Sequence, residues 1–321
     1  MSPRLRLLLC YSLTGCLTNC EPIARRSAAA EATGEVAAGD ASLRRSDTAQ
    51  QLAVVQDRRI PEASGMALSR LRPDHVWMHN DSGDTARLFL VGLNGITHSV
   101  VQLDAAMPHD WEDLCSFEQD GIRWLLVGDV GDNDRRRGRR GGLPVCRLLL
   151  IQELPLPDAS EQKTHRWKVH ATIEFEFEDG PRDCESVGVD FRGGKILLVC
   201  KSQPLACGLY SLPLITEPGR HSARAVRIAT IGVPFATAMD VSRDGRSLVI
   251  VTPFSGILIR RHAEESWSDA CRRPGTHLTL PPRKQGETVC FGPDETFVLL
   301  NSEGIRQPLW RLDLPVAGTS D

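Results

Sequence analysis

From about Gln51 onward, short apolar runs alternate with turn residues, which is typical of β-strands. One order of elements recurs five times: an acidic or small polar opening, a short apolar strand, a turn with Gly, Asp or Pro, and a second strand rich in Leu or β-branched residues. The five pairs cover residues 61–69 and 75–83, 110–118 and 122–133, 183–191 and 195–203, 237–245 and 247–254, and 286–294 and 296–304. Such recurrence predicts a repeat architecture.

Further strands follow each pair. A third strand is predicted at residues 87–93, 145–152, 208–212, 256–260 and 309–314, and a fourth in most units, as at 98–104, 167–176 and 225–231. Units of four antiparallel strands predict an all-β fold, a β-propeller of four-stranded antiparallel blades. A β-sandwich is the competing architecture, but it has no need of the same strand-turn-strand phrase five times.

The number of units favours five blades. Six remain possible, because the long stretch between Glu112 and Glu185 has room for another hairpin. The last unit has no obvious fourth strand within 315–321, so we expect residues 51–59 to supply it and close the ring. Residues 51–321 are therefore predicted to be a single propeller domain.

Composition changes this picture little. Hydrophobic residues make up 41% of the chain and charged residues 25%, enough for a sizeable core. The net charge of −3 argues against a nucleic-acid binder with a strongly basic surface.

The N-terminus predicts export. Arg4 and Arg6 precede a short apolar stretch, and Leu13-Thr14-Gly15-Cys16 resembles a bacterial lipobox. Residues 1–15 would then be a lipoprotein signal peptide and Cys16 the acylated first residue, with an ordinary secretory signal as the alternative. Residues 16–50, rich in Ala, Ser, Glu and Arg, predict a disordered tether. We expect a cell-envelope lipoprotein or a secreted protein that touches the membrane only through its lipid.

Propeller topology brings the openings of first strands and the ends of second strands to one mouth of the channel. The openings contribute Glu62, Asp110, Glu112, Asp113, Asp183, Glu185, Asp240 and Glu287, and the strand ends contribute Asn80, Asp81, Asp84, Asp129, Asp132, Asn133, Lys201 and Glu303. Carboxylates that converge repel one another unless a cation intervenes, and calcium accepts oxygen ligands in flexible geometry. A bound Ca²⁺ is one interpretation. The other is a structural ring whose acidic side chains accept hydrogen bonds from nearby backbone amides.

Few other residues carry recognisable chemistry. His79 and His109 lie near the predicted mouth and could act as general bases together with Asp110, or be ordinary strand-end histidines. The run that includes Arg135, Arg136 and Arg137 is either a solvated loop or an anion clamp.

Cysteine spacing gives no zinc or iron–sulfur motif. Cys115, Cys184 and Cys290 fall on first strands and are predicted to be buried free thiols. Cys200 and Cys207 bracket a turn and could form a disulfide in an oxidising compartment.

Several phrases, taken together, resemble a family of exported bacterial β-propellers of largely uncharacterised activity, loosely grouped with phytase-like and calcium-dependent lactonase or gluconolactonase propellers. The phrases are EASGMALS, HNDSG, DWEDL, GDVGDN, DCESV, QGE and NSEG, and the resemblance covers about residues 55–315. It implies carboxylates at the channel mouth that hold calcium, on Glu62, Asp81, Glu112, Asp129, Asp183, Glu185, Glu287 and Glu303. The fourth unit departs from the pattern, with Ala238 where the others have Glu.

Two classes of function fit these observations. One is a calcium-dependent hydrolase of a phosphoester or lactone that acts at the acidic mouth. The other is a non-catalytic propeller that binds a glycan, peptide or partner protein. In both cases we expect a monomer with a small-molecule or glycan ligand at the mouth and no nucleic-acid partner.

Overall fold

The computed structural model describes residues 49–81, 83–104, 107–138, 145–157, 164–201 and 206–316. The chain is divided between Arg44 and Arg45, and every described residue lies in the second unit, Arg45–Asp321. The predicted signal peptide, Cys16 and nearly all of the predicted tether lie outside the described residues, so they stay predictions. No helix in the described ranges is long and apolar enough to cross a membrane.

The described part of the second unit is almost entirely β-structure, with one short helix, α1 (Trp267–Ala270). The strands, in chain order, are β1 (Ala49–Val54), β2 (Ala63–Leu68), β3 (His75–Asn80), β4 (Arg87–Gly92), β5 (Thr97–Asp104), β6 (Trp111–Gln119), β7 (Ile122–Asp129), β8 (Cys146–Gln152), β9 (Thr164–Lys168), β10 (Ala171–Phe177), β11 (Cys184–Asp190), β12 (Lys195–Cys200), β13 (Cys207–Pro213), β14 (Gly219–Ile231), β15 (Ala238–Val241), β16 (Ser247–Val251), β17 (Gly256–Arg260), β18 (Thr276–Leu278), β19 (Thr288–Phe291), β20 (Phe297–Asn301) and β21 (Pro308–Asp313).

The strands form antiparallel meanders that are stacked around a centre. The sheet orders are β2-β3-β4-β5-β9, β6-β7-β8-β10-β14-β13-β12-β11, β15-β16-β17-β18 and β19-β20-β21-β1. The eight-stranded sheet consists of two meanders, joined where the first half of β14 pairs in parallel with β10. The second half of β14 pairs antiparallel with β13.

The innermost strands close a ring. β2 packs against β6, β6 against β11, β11 against β15, β15 against β19, and β19 against β2. A radial arrangement of meanders around such a ring is a β-propeller, which confirms the predicted all-β propeller fold. The first and last strands close the last sheet, since β1 pairs antiparallel with β21, as expected for the N-terminal segment.

The core lies between neighbouring sheets, so the inner strands are buried on both faces. Close approach of the sheets requires glycine at particular positions. A Cβ on Gly128 would lie 2.7 Å from Val187 Cγ2, and one on Gly188 would lie 3.0 Å from Val241 Cγ2. Any side chain at these two positions would push neighbouring sheets apart.

Buried carboxylates link the inner strands. Asp113 Oδ2 on β6 accepts hydrogen bonds from Val187 N on β11 at 2.8 Å and from Met239 N on β15 at 3.2 Å. Asp240 Oδ2 on β15 likewise accepts from Phe291 N on β19 at 2.8 Å. These two side chains point into the ring and satisfy backbone amides, so they are not part of the acidic mouth to which the sequence assigned them.

The stretch between Glu112 and Glu185 does not hold another hairpin of its own in the described residues. Its additional strand, β9, pairs in parallel with β5 and extends the first sheet to five strands. The prediction of one strand over 167–176 was wrong in detail, because residues 164–177 divide into β9 and β10.

Candidate functional site

One backbone hydrogen-bond pattern recurs where the first and second strands of each unit meet at the mouth of the propeller. In four units, an amide just beyond the second strand donates to the carbonyl of a residue just before the first strand. The pairs are Asp81 N to Glu62 O, Val130 N to Asp110 O, Lys201 N to Asp183 O and Glu303 N to Gln285 O. The fourth unit reverses it, with Thr237 N donating to Val251 O at 2.9 Å. Strand openings and strand ends therefore lie side by side, as the sequence predicted.

Three carboxylates converge at this mouth. Asp81, Asp110 and Glu112 each offer an oxygen within 4.8 Å of the others. Asp81 follows β3 of the first sheet, whereas Asp110 and Glu112 lie at the start of β6 in the next one. We call these three residues the acidic cluster; two neighbouring sheets build it.

Local backbone structure brings the cluster together. A Cβ on Gly131 would lie 2.1 Å from Glu112 Oε1 and 2.6 Å from Asp110 Oδ2, so the two carboxylates occupy the space that a side chain at this position would fill. Asp129 holds the segment before β6 in place, because its Oδ1 accepts from Asp110 N at 3.0 Å and its Oδ2 from His109 N at 3.3 Å. Ser64 Oγ donates to Glu112 O at 2.7 Å.

Burial and mutual repulsion raise the proton affinity of the cluster. Desolvation, and then the neighbouring Asp81, raise the pKa of Asp110 to about 7. Desolvation raises the pKa of Glu112 well above its usual value, with further contributions from Glu185, Asp81 and Asp110. The acidic cluster is thus a site where a positive charge would be strongly stabilised.

More carboxylates continue the ring away from the cluster. Glu185 forms an ion pair with Lys201 Nζ at 2.5 Å, yet desolvation still raises the pKa of Glu185 to about 8. Desolvation and the adjacent Glu287 raise the pKa of Glu303 to about 9. Desolvation also raises the pKa of Asp183, whose Oδ1 accepts from Asp132 N at 3.0 Å.

The structure corrects the role assigned to Asp129. Its carboxylate is fully buried and forms ion pairs with Arg137 and Arg147. Although desolvation opposes it, the two arginines lower the net pKa of Asp129. Guanidinium and backbone donors occupy both oxygens of this ionised carboxylate, so in this structure Asp129 positions the segment before β6.

Arg137 is not an anion clamp either. Its side chain is only 3% exposed, Nε donates to Gly131 O at 2.6 Å, and Nη2 contacts Asp129 Oδ1 at 2.7 Å. The guanidinium group forms its hydrogen bonds within the protein and is not available to an external anion. Arg135 and Arg136 are exposed, as expected for a solvated loop.

The two candidate histidines, His79 and His109, differ in their burial. His79 is fully buried, with its ring 5.2 Å from that of Trp111, and desolvation lowers its pKa to about 4. Since a Cβ on Gly65 would lie 2.1 Å from His79 Nε2, the ring is enclosed by backbone and cannot serve as a base at the mouth. His109 is half-buried, with Arg137, Asp129 and Arg147 as its nearest charged groups, and desolvation lowers its pKa.

Sequence reasoning missed three supporting residues. Gly131, Arg147 and Ser64 shape the cluster, but none belongs to a residue type associated with metal ligation. In the sequence, the phrase that contains Gly131, GDVGDN, draws attention only to its acidic positions.

The buried thiols Cys115, Cys184 and Cys290 are confirmed. The suggested bridge between Cys200 and Cys207 was wrong. Neither is in a disulfide, and the two buried side chains belong to different core clusters, on opposite faces of their sheet.

Comparisons with known proteins identify no relative by sequence: no family model and no curated protein matches the chain. Among solved structures, the chain is similar to one described as "Structure of Dos1 propeller", with a TM-score of 0.34 and 10% sequence identity. The match covers 77% of this chain and 58% of that chain, so the chain spans less than two thirds of the neighbour's length. The propeller fold given above rests on strand pairing and on the closed ring of inner strands.

Proposed function

We propose that the chain is a five-bladed propeller that binds a divalent cation, Ca²⁺ in the first instance, at its acidic mouth. Each inner strand of the ring begins one meander, and each meander has four strands, with β1 completing the last and β9 added outside the first. The observation that carries the cation proposal is the acidic cluster, with three carboxylate oxygens within 4.8 Å of one another.

The donor set suits calcium. Asp81, Asp110 and Glu112 offer only hard oxygen ligands, and carboxylates can bind in monodentate or bidentate fashion, so three of them supply up to six oxygens. Calcium prefers six to eight. Cys115, the cysteine nearest in sequence, is buried within β6, and softer metals find no thiolate in the cluster.

The proposed activity is hydrolysis of a phosphoester or lactone. A bound cation would polarise the electrophilic centre and lower the pKa of a coordinated water. His109, half-buried next to Asp110, is the remaining candidate for a general base. Lys201, held by Glu185 on the same mouth, offers a positive charge to an anionic substrate.

A second function has its own support. The fourth unit contributes no carboxylate to the cluster, and it presents Phe254, which is 87% exposed, on the loop between β16 and β17. An exposed aromatic ring at the end of a second strand suits a glycan or peptide ligand. In this alternative the propeller binds its ligand at the mouth without turnover.

Calorimetric titration with Ca²⁺, together with elemental analysis of purified protein, tests the cation proposal. We expect one bound ion, and none in the variants Asp110→Asn and Glu112→Gln. A panel of phosphoesters and lactones then separates the two functions, since a hydrolase loses turnover in these variants. If the titration releases no binding heat and the purified protein contains no metal, the cation site is refuted and the binding function is favoured.

A further inference from the structure

Two cysteines face each other across neighbouring strands next to the mouth. Cys184 is the first residue of β11, Cys200 is the last residue of β12, and the two are direct partners in the antiparallel ladder. Both side chains are fully buried in the same hydrophobic cluster, which also contains Cys146. The sequence concealed this pair, because fifteen residues separate the two cysteines.

The pairing meets the geometric requirement for a disulfide. Cys184 and Cys200 are paired where the register of the ladder shifts, between Cys184 and Ser186. Paired residues of an antiparallel ladder have Cα atoms about 4.5–5.5 Å apart, within the range of about 4.4–6.8 Å that disulfides span. Cys184 Sγ lies 3.6 Å from Val199 O, the carbonyl that precedes Cys200, and after desolvation Cys200 is the neighbour that most raises the pKa of the Cys184 thiol. Cys207, by contrast, packs in the cluster on the other face of the sheet.

The position of the pair gives it a structural consequence. Cys184 immediately precedes Glu185, and Cys200 immediately precedes Lys201, so the two thiols lie one residue away from the ion pair at the mouth. A covalent bond here would fix the ends of β11 and β12 that present both charged groups.

We propose that Cys184 and Cys200 form a disulfide when the protein folds in the presence of a small-molecule disulfide such as oxidised glutathione. Cys184 and Cys200 together lose two protons and two electrons, one S–S bond forms, and the oxidant is cleaved to two thiols. Burial of both sulfurs makes the exchange a step of folding rather than of the native state. This inference does not depend on cation binding or on hydrolysis.

Refolding the full chain with oxidised or reduced glutathione, followed by thiol blocking in denaturant and tryptic digestion, tests the proposal. Cys146, Cys184, Cys200 and Cys207 fall in separate tryptic peptides, 141–147, 183–192, 196–201 and 202–220. We expect a cross-link between 183–192 and 196–201 that disappears on reduction. Two fewer blocked thiols should accompany it.

The melting temperatures of matched variants give a second test, which does not depend on identifying the cross-linked peptides. Because a loop of about 15 residues is closed, the oxidised protein should melt several degrees above the reduced one. Cys184→Ser and Cys200→Ser should abolish this difference, whereas Cys146→Ser and Cys207→Ser should keep it. A cross-link to peptide 141–147 or 202–220, or an unchanged number of blocked thiols, would overturn the proposal.

Discussion

Buried carboxylates occur in two regions of this propeller, and the regions differ in the partners of the carboxylates rather than in desolvation, which raises the pKa of Asp113 and Asp240 as well. Those in the interior, Asp113, Asp129 and Asp240, accept hydrogen bonds from backbone amides, and Asp129 also has two arginines. Those of the acidic cluster lie next to other carboxylates. Desolvation is the largest cause of the raised pKa of Asp110 and Glu112, and the neighbouring carboxylates raise it further. An aspartate that serves the fold is supplied with its own partners. The acids of the cluster lie close to one another, and the proposed cation site rests on this arrangement.

Removing the interior charge should have the largest effect on stability. In Asp129→Asn, the buried guanidinium of Arg137 loses its counter-charge, and breaking such a pair costs about 3–5 kcal/mol of unfolding free energy. Urea denaturation measures the difference. Glu174→Gln, which removes an exposed ion pair with Arg220, is the control and should change stability by less than about 1 kcal/mol. If the two substitutions lower the free energy of unfolding equally, the interior ion pair of Asp129 contributes no more to stability than an exposed one.

Calcium should act on the cluster alone. At a concentration about a hundredfold above the dissociation constant, binding stabilises the native state by about 2.7 kcal/mol, which raises the melting temperature. Glu112→Gln should lose this increase and be at least as stable as the parent without calcium, because repulsion is relieved. Glu174→Gln should keep the increase. A melting curve that does not respond to calcium or chelator would show that the cluster is a structural feature.

The pH dependence should separate the acids of the mouth from Asp129; Asp240, whose pKa desolvation also raises to about 7, adds to the same decline. Folding raises the pKa of Asp110 to about 7 and that of Glu185 to about 8, mainly through desolvation, while in the unfolded chain both are already ionised near neutrality. Stability without calcium should therefore fall as the pH rises from about 4 to about 8, because the unfolded chain releases these protons near pH 4 while the folded state keeps them until about pH 7 and pH 8. Asp129, whose pKa is lowered, stays ionised throughout this window.

Thermal melts across this window, with and without calcium, measure the effect. Calcium should flatten the decline, since it replaces the protons on the cluster. Glu185→Gln should reduce the slope without calcium. A stability that rises over the same interval would contradict the assignment of Asp110 and Glu185 as protonated groups.

The smallest effect is expected in the arginine run. Arg136 is exposed and Arg137 is buried, although the two are adjacent. Arg136→Ala should change the unfolding free energy by no more than about 0.5 kcal/mol, whereas Arg137→Ala removes a buried partner of Asp129 and should be strongly destabilising. A large loss in Arg136→Ala would mean that the loop has a structural role that its contacts do not reveal.

The sequence alone determined the repeat. Alternating apolar runs and turn residues located the first, second and third strands to within a few residues, because strand periodicity and turn chemistry are local properties. They also located the N-terminal closing strand, β1. Outer strands were predicted less well: β9 and β10 were merged, because pairing with a distant strand, not local pattern, decides where an edge strand begins.

Only the tertiary structure decided what each polar residue does. The acidic residues of the motifs looked equivalent in the sequence, yet Asp129 meets two arginines, Asp113 meets amides from two other strands, and Asp110 meets carboxylates. Likewise Cys200 faces Cys184 instead of its sequence neighbour Cys207. The physical reason is that charge, desolvation and thiol pairing depend on distances of a few ångströms between residues far apart in the chain, which no local pattern specifies.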